Sequence, residues 1–298
     1  MNENIEKIFF IIVFLISLLI FLMGIIMLIV EKIKLSNRNN KTIIKVKTQP
    51  ITDQEMDTIF SRLDNLEQSM KETSSKYNHW IGYWKALFIA CRKHDATSIW
   101  KNPKNVFQIE APATEENVIC IEKELGCPIP ENFRKVLLNF SSTVNIQWFL
   151  NEDDEALPPL NQVCWGECRW NLQDLPQIMA DYQGWLTHCF SNPQDSYDAI
   201  WYNKFPIIDI RNGDKIAIEL NSPKDAVVYL SHDDGIGHGY IMGNTFEDFI
   251  ERHSKIGCPG YEEWLWTPFA SEGIIDPNCE NALAWRKWFG LELNDNEQ

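Results

Sequence analysis

Residues 8–30 are twenty-three consecutive uncharged positions, interrupted among apolar side chains only by Ser17 and Gly24. At about 1.5 Å rise per residue, such a helix is roughly 35 Å long, enough to cross a hydrocarbon core of about 30 Å. A cleaved signal peptide has a shorter apolar region and ends in a small-residue site. Here Glu31-Lys32-Ile33-Lys34 follows instead. The pattern predicts a retained transmembrane anchor over residues 1–30, held in the bilayer through residues 8–30. Residues 31–50 read as a basic, Asn-rich linker ending at Pro50. Within residues 51–76, Thr52 and Glu55 form a capping box, and Met56, Ile59, Leu63, Leu66 and Met70 recur at spacings of 3, 4, 3 and 4. That seam predicts either a short coiled coil, giving a homodimer, or an amphipathic helix lying on its own domain. Two heptads are marginal on their own.

The pattern changes at Tyr77, and residues 77–291 read as one globular domain with a polar tail at 292–298. Trp80, Trp84, Leu87, Phe88 and Cys91 mark a helix with a wide apolar stripe. Thr114 caps the next, which carries Val118, Ile121 and Leu125 and stops at Gly126. Pro130 opens a third, with Phe133, Val136, Leu137 and Phe140 on one face. Residues 141–172 look long and irregular. Then Phe205–Ile210, Lys215–Leu220 and Ala226–Leu230 read as strands, the first two joined by the turn signal Asn212-Gly213-Asp214. Asn244 or Thr245 caps a helix with Phe246, Phe249 and Ile250, and a last helix lies near 281–289. Short antiparallel neighbours flanked by helices indicate an α+β domain, an antiparallel sheet with flanking helices.

Charge adds an orientation. After the apolar run come Lys32, Lys34, Arg38, Lys41, Lys45 and Lys47, against Lys7 alone before it. Basic flanks stay cytoplasmic, so a cell-membrane, single-pass protein is expected, with its N-terminus outside and its soluble domain cytoplasmic. Residues 1–48 hold seven Lys/Arg against three Asp/Glu, and residues 49–298 hold 20 against 39. So acidic a body disfavours nucleic acid and favours a basic protein partner. The eight cysteines are scattered without a dense framework and read as free thiols in a reducing compartment.

Several segments carry a resemblance in their order. Thr114-Glu115-Glu116 and Ile121 to Leu137, with the Leu125-Gly126 stop and the Pro128-Ile129-Pro130 step, resemble the opening of the Smi–Knr family of the SUKH superfamily. Gly213 to Leu220 resembles its hairpin, Val227 to Asp233 its next strand, and Thr245 to Ile250 its closing helix. The resemblance covers about residues 97–255. It implies a SUKH-like fold and a non-enzymatic binding module. The bacterial role it implies is that of an immunity protein, which blocks a toxin domain. The alternative is a membrane-bound scaffold in cell-wall or envelope regulation. The anchor and the Met56–Met70 helix lie outside the family pattern.

Chemistry is sparse. Ser231 to Gly239 holds His232, Asp233, Asp234 and His238, which invites a metal or hydrolase reading, but its three glycines make it a polar turn. Cys164 and Cys168 lack the second pair that a zinc knuckle uses. No phosphate loop, nucleophile elbow or dinucleotide fingerprint occurs. No catalytic, cofactor or metal set is therefore expected. Trp148 and Trp170 flank the acidic run Glu152-Asp153-Asp154-Glu155, an aromatic and acidic combination suited to a basic protein. This is the expected partner face, with the Asp233-Asp234 loop as the second choice.

Overall fold

The computed structural model describes residues 49–72, 77–98, 106–151, 156–233 and 235–291, all within one unit spanning residues 48–298. The anchor at 8–30, most of the linker, Trp100, Glu152 to Glu155, Asp234 and the tail at 292–298 lie outside the described residues. Among the described residues no helix is long and apolar enough to cross a membrane.

The elements run β1 (Gln49–Pro50), α1 (Asp53–Glu72), α2 (Asn78–Lys93), β2 (Thr97–Ser98), β3 (Phe107–Ile109), α3 (Glu115–Leu125) and α4 (Glu131–Asn139). Then follow β4 (Thr143–Phe149), β5 (Trp165–Asn171), α5 (Leu175–His188), α6 (Asp198–Trp201), β6 (Lys204–Asp209), β7 (Lys215–Glu219) and β8 (Val227–Leu230). The chain closes with β9 (Ile241–Gly243), α7 (Phe246–Lys255), α8 (Glu263–Trp266), β10 (Ala270–Ser271), β11 (Ile274–Ile275) and α9 (Glu280–Phe289). The α+β expectation holds: the two sheets are almost wholly antiparallel and helices flank them.

Local chemistry explains the boundaries. The Thr52 and Glu55 capping box forms, Thr52 N–H donating to Glu55 Oε2 at 2.8 Å. Thr114 caps α3 reciprocally with Asn117, and Gly126, at φ 73°, supplies the left-handed stop. Thr245 Oγ1 accepts from Asp248 N–H at 3.1 Å to start α7.

Strand β4 is the spine of the first sheet. It pairs along its length with β5, from Thr143 opposite Asn171 to Phe149 opposite Trp165. Its other edge carries β3 and then β2, with β1 beyond β2. The span 141–172 thus holds, at 143–149 and 165–171, the two longest strands among the described residues. Val144, Ile146 and Trp148 alternate inward on β4, facing Trp170, Cys168 and Gly166 of β5. A side chain at Gly166 would sit 2.3 Å from the Trp148 indole nitrogen and 2.1 Å from the Cys258 carbonyl, so only glycine fits under that ring. The second sheet has the order β10-β11-β9-β8-β7-β6, a meander from β6 to β9 extended by β11 parallel to β9.

One hydrophobic core runs through the first sheet, α1, α2, α4, α7 and α9. Phe133 of α4 meets Phe246 of α7 with ring centres 4.4 Å apart, and Trp148 meets Phe289 of α9 at 4.9 Å. A smaller cluster of Tyr182, Phe190, Trp201, Ala217, Val228 and Leu230 seats α5 and α6 on the second sheet.

The α1 seam is a correction to the coiled-coil expectation. Met56, Ile59, Leu63 and Met70 are buried in that same core, with Leu66 packed against it. Lys85 of α2 reaches across to Asp64 at 2.6 Å and Glu67 at 2.5 Å. The stripe is occupied by the chain's own domain, so it offers no free seam for a homodimer through these five residues.

Candidate functional site

The β6–β7 turn places Asp214 with no exposed surface beneath the loop 231–239. Its Oδ2 accepts from the Tyr229 hydroxyl and from Asn212 Nδ2 at 2.7 Å. Its Oδ1 accepts from the His232 backbone N–H at 2.8 Å and faces His232 Nδ1 at 2.6 Å. A carboxylate only accepts, so Nδ1 carries the proton of that ring. Burial and then the neighbouring Asp214 charge push the Tyr229 hydroxyl far up, which keeps it a donor.

The rest of the loop is held as tightly. His238 Nδ1 accepts from Ser231 N–H at 3.0 Å, its Nε2 faces the Tyr197 carbonyl at 3.1 Å, and its ring stacks on Tyr197 with centres 3.9 Å apart. Ser231 Oγ accepts from Gly235 N–H at 3.1 Å. Both nitrogens of His238 are therefore engaged, and His232 belongs to a different network. The two histidines do not converge on a metal. Asp214, His232 and Asp233 do place donor atoms within 4.8 Å of one another, but the Asp214 oxygens already receive four donors. No hydrogen bond among the described residues joins His232 to a Ser, Thr or Cys that could act as nucleophile.

What the described residues of this loop present is acidic and partly apolar. Asp233 is exposed and Ile236 is 73 % exposed. Trp264, on α8, is 42 % exposed. Its neighbour Glu263 is raised above the usual carboxylate range by burial and then by Asp214 and Asp233, so it faces the same patch. Asp195, Asp198, His232 and Asp233 line one open hollow of about 490 Å³ with Asn192 and Tyr197. Four carboxylates, Asp195, Asp198, Asp233 and Glu263, thus surround this end of the second sheet. A larger cleft of about 1050 Å³ between α1, β3 and α4 mixes Arg62, Glu110 and Lys135 and has no such sign.

The first-choice face fares differently. Trp148 is 0 % and Trp170 is 2 % exposed. Their indole N–H groups donate to the Gly257 carbonyl at 2.9 Å and the Ser141 carbonyl at 3.1 Å. Both are inward positions of β4 and β5, so neither offers surface to a partner. Glu152 to Glu155 lie outside the described residues, as does Asp234; only Asp233 of the expected set is placed on the surface. Reading the sequence alone missed Asp195, Asp198, Ile236 and Glu263. The signal for Ile236 was available, an isoleucine standing between glycines in a polar turn.

Residues 112–252 match the model of the SMI1 / KNR4 family (SUKH-1). The match lies inside the expected span of about 97–255 and supports the domain assignment. It takes in the loop 231–239, Asp195, Asp198 and Asp214, and stops short of Glu263 and Trp264. No curated protein and no solved structure matches the chain. The SUKH-1 match is consistent with an immunity-like protein-binding module, and that family is generally non-enzymatic.

Proposed function

We propose that this chain is a non-enzymatic binding module that holds a basic protein partner, a toxin domain, against the face formed by Asp195, Asp198, Asp233 and Glu263. The observation that carries the reading is the SUKH-1 match over residues 112–252. Charge supports it. Residues 49–298 hold 39 acidic against 20 basic side chains, a field that speeds encounter with a cation-rich partner. Exposed Ile236 and Trp264 supply the apolar anchor that charge alone does not, since steering sets the on-rate and buried apolar contact sets the residence time. The Asp214–His232 pair serves as a strut of this face.

Residues 8–30 extend the proposal to place. They would tether the module to the membrane, and the basic run after them would keep the body on the cytoplasmic side. A toxin entering across that membrane would meet the module at its point of arrival.

The test is affinity capture with the tagged full chain in mild detergent from lysate of its native cells, read by mass spectrometry. A basic toxin-like protein recovered at one-to-one, and released by salt, supports the reading. Recovery of envelope or signalling proteins alone, with no toxin, replaces it with the membrane-scaffold role.

A further inference from the structure

We propose that Cys168, His253 and Cys258 form a structural zinc site that ties the end of α7 to β5. Their ligand atoms, two Sγ and one imidazole nitrogen, lie within 4.8 Å of one another, and all three residues are fully buried. Zinc–sulfur bonds of about 2.3 Å and zinc–nitrogen bonds of about 2.0 Å need donors roughly 3.5 Å apart, so small side-chain rotations close the set.

The histidine points to a ligand. His253 Nε2 faces the Pro259 carbonyl at 2.8 Å, and a carbonyl only accepts, so in the neutral ring Nε2 holds the proton and Nδ1 the lone pair. That Nδ1 is buried and has no hydrogen-bond partner. A buried polar atom without a partner is rare in a folded protein. A metal-bound histidine has this arrangement, one nitrogen on the ion and the other N–H donating to a backbone carbonyl.

The backbone is shaped to the same end. After α7, Gly257 and Cys258 both take left-handed conformations, at φ 78° and 51°. The second is costly for a cysteine. Together they fold the chain back so that Cys258 N–H donates to the His253 carbonyl at 2.9 Å. The segment then docks on β5, with Gly260 N–H donating to the Trp165 carbonyl at 3.0 Å and Pro259 bridging Gly166. Cys168 stands two residues along that strand. Two of the three buried cysteines of the chain, and the one buried histidine of its six, therefore meet at one place.

Binding exchanges protons for metal: each ligating thiol releases one proton as its sulfur bonds to Zn2+, and no electron moves. His253 and Cys258 lie just beyond the residues that match the family model, so the site staples the family segment to the C-terminal extension of this chain.

The test uses the full chain, purified under reducing conditions from zinc-replete cells without chelator. Zinc is counted by plasma mass spectrometry, and Co2+ is titrated into the same wild-type protein expressed without added zinc. One zinc per chain, and a cobalt spectrum with thiolate charge-transfer bands and strong tetrahedral visible bands, is expected. The His253→Ala and Cys258→Ser variants should fall to background zinc, while Cys120→Ser, an exposed thiol elsewhere, keeps its zinc. Because the cobalt spectrum needs no variant, misfolding of a variant leaves the test intact. Background zinc in the wild type, a cobalt spectrum without thiolate bands, or a mapped Cys168–Cys258 disulfide would overturn the proposal.

Discussion

Replacing Asp214 with alanine is the sharpest perturbation of the strut beneath the acidic face. The carboxylate receives the Tyr229 hydroxyl, Asn212 Nδ2, and the backbone and ring N–H groups of His232. Tyr229 is fully buried, so its hydroxyl loses its partner with no water to replace it, at about 1–3 kcal/mol. The other three donors are half-buried and reach water, at roughly 0.5–1 kcal/mol each. The sum is about 2.5–6 kcal/mol, a large part of the stability of a domain this size. At about 2–4 °C per kcal/mol, the melting temperature should fall by roughly 10 °C. Asp214→Asn keeps the shape and one acceptor oxygen, but turns an NH2 group toward donors, and should cost about half as much. Urea unfolding followed by tryptophan fluorescence gives the energies, and hydrogen exchange over residues 231–239 shows whether the loop is released. If Asp214→Ala unfolds within about 0.5 kcal/mol of wild type, the carboxylate is not the anchor and the rigid-face reasoning fails.

Three further outcomes are expected. Glu262 is buried with Oε2 unpartnered, and burial first, then Glu167 and Glu263, raises its carboxyl to about 7. The folded state therefore binds more protons than the unfolded one between about pH 4.5 and pH 7, and stability falls as pH rises through that window. Glu262→Gln removes the penalty: it should match wild type at pH 4 and exceed it by roughly 2–3 kcal/mol at pH 8, and equal stabilities at pH 8 in urea would refute this. Gly166→Ala drives a methyl into the Trp148 ring and the Cys258 carbonyl, at 2.3 and 2.1 Å, and should destabilise by about 3 kcal/mol; an unchanged thermal melt would contradict the packing. The full chain should resist alkaline carbonate extraction while its C-terminus stays inaccessible to protease added outside intact cells, and release by carbonate would remove the anchor from the account.

The α+β fold was legible where chemistry is local. The Thr114 cap and Gly126 stop, the Asn212-Gly213-Asp214 turn and the Thr245 cap each lie within a few residues of the element they set. Strands β4 and β5 escaped because Gly166 and Cys168 carry little hydrophobic signal, although Val144, Ile146 and Trp148 alternate plainly. The α1 seam shows the limit of periodicity. A stripe at 3 and 4 spacing says that a helix buries one face, and only tertiary structure says against what. The same limit moved Trp148 and Trp170 from a presumed loop rim into the core. Asp214 and His232 stand eighteen residues apart, and Cys168 and His253 eighty-five, so neither cluster could be read as a motif. They meet only because sheets and helices bring them together.

The central claim is that the carboxylates around the loop 231–239 hold a basic partner. The most direct measurement is the Kd of the captured partner for the wild-type chain and for the quadruple variant Asp195→Asn, Asp198→Asn, Asp233→Asn and Glu263→Gln, by calorimetry at low and high salt. With roughly 0.5–1 kcal/mol for each of the four carboxylates, affinity should fall by about 30- to 900-fold at low salt, and the wild type should lose its advantage as salt rises. An unchanged Kd and salt slope in the quadruple variant would contradict the claim and move the interface elsewhere on the molecule.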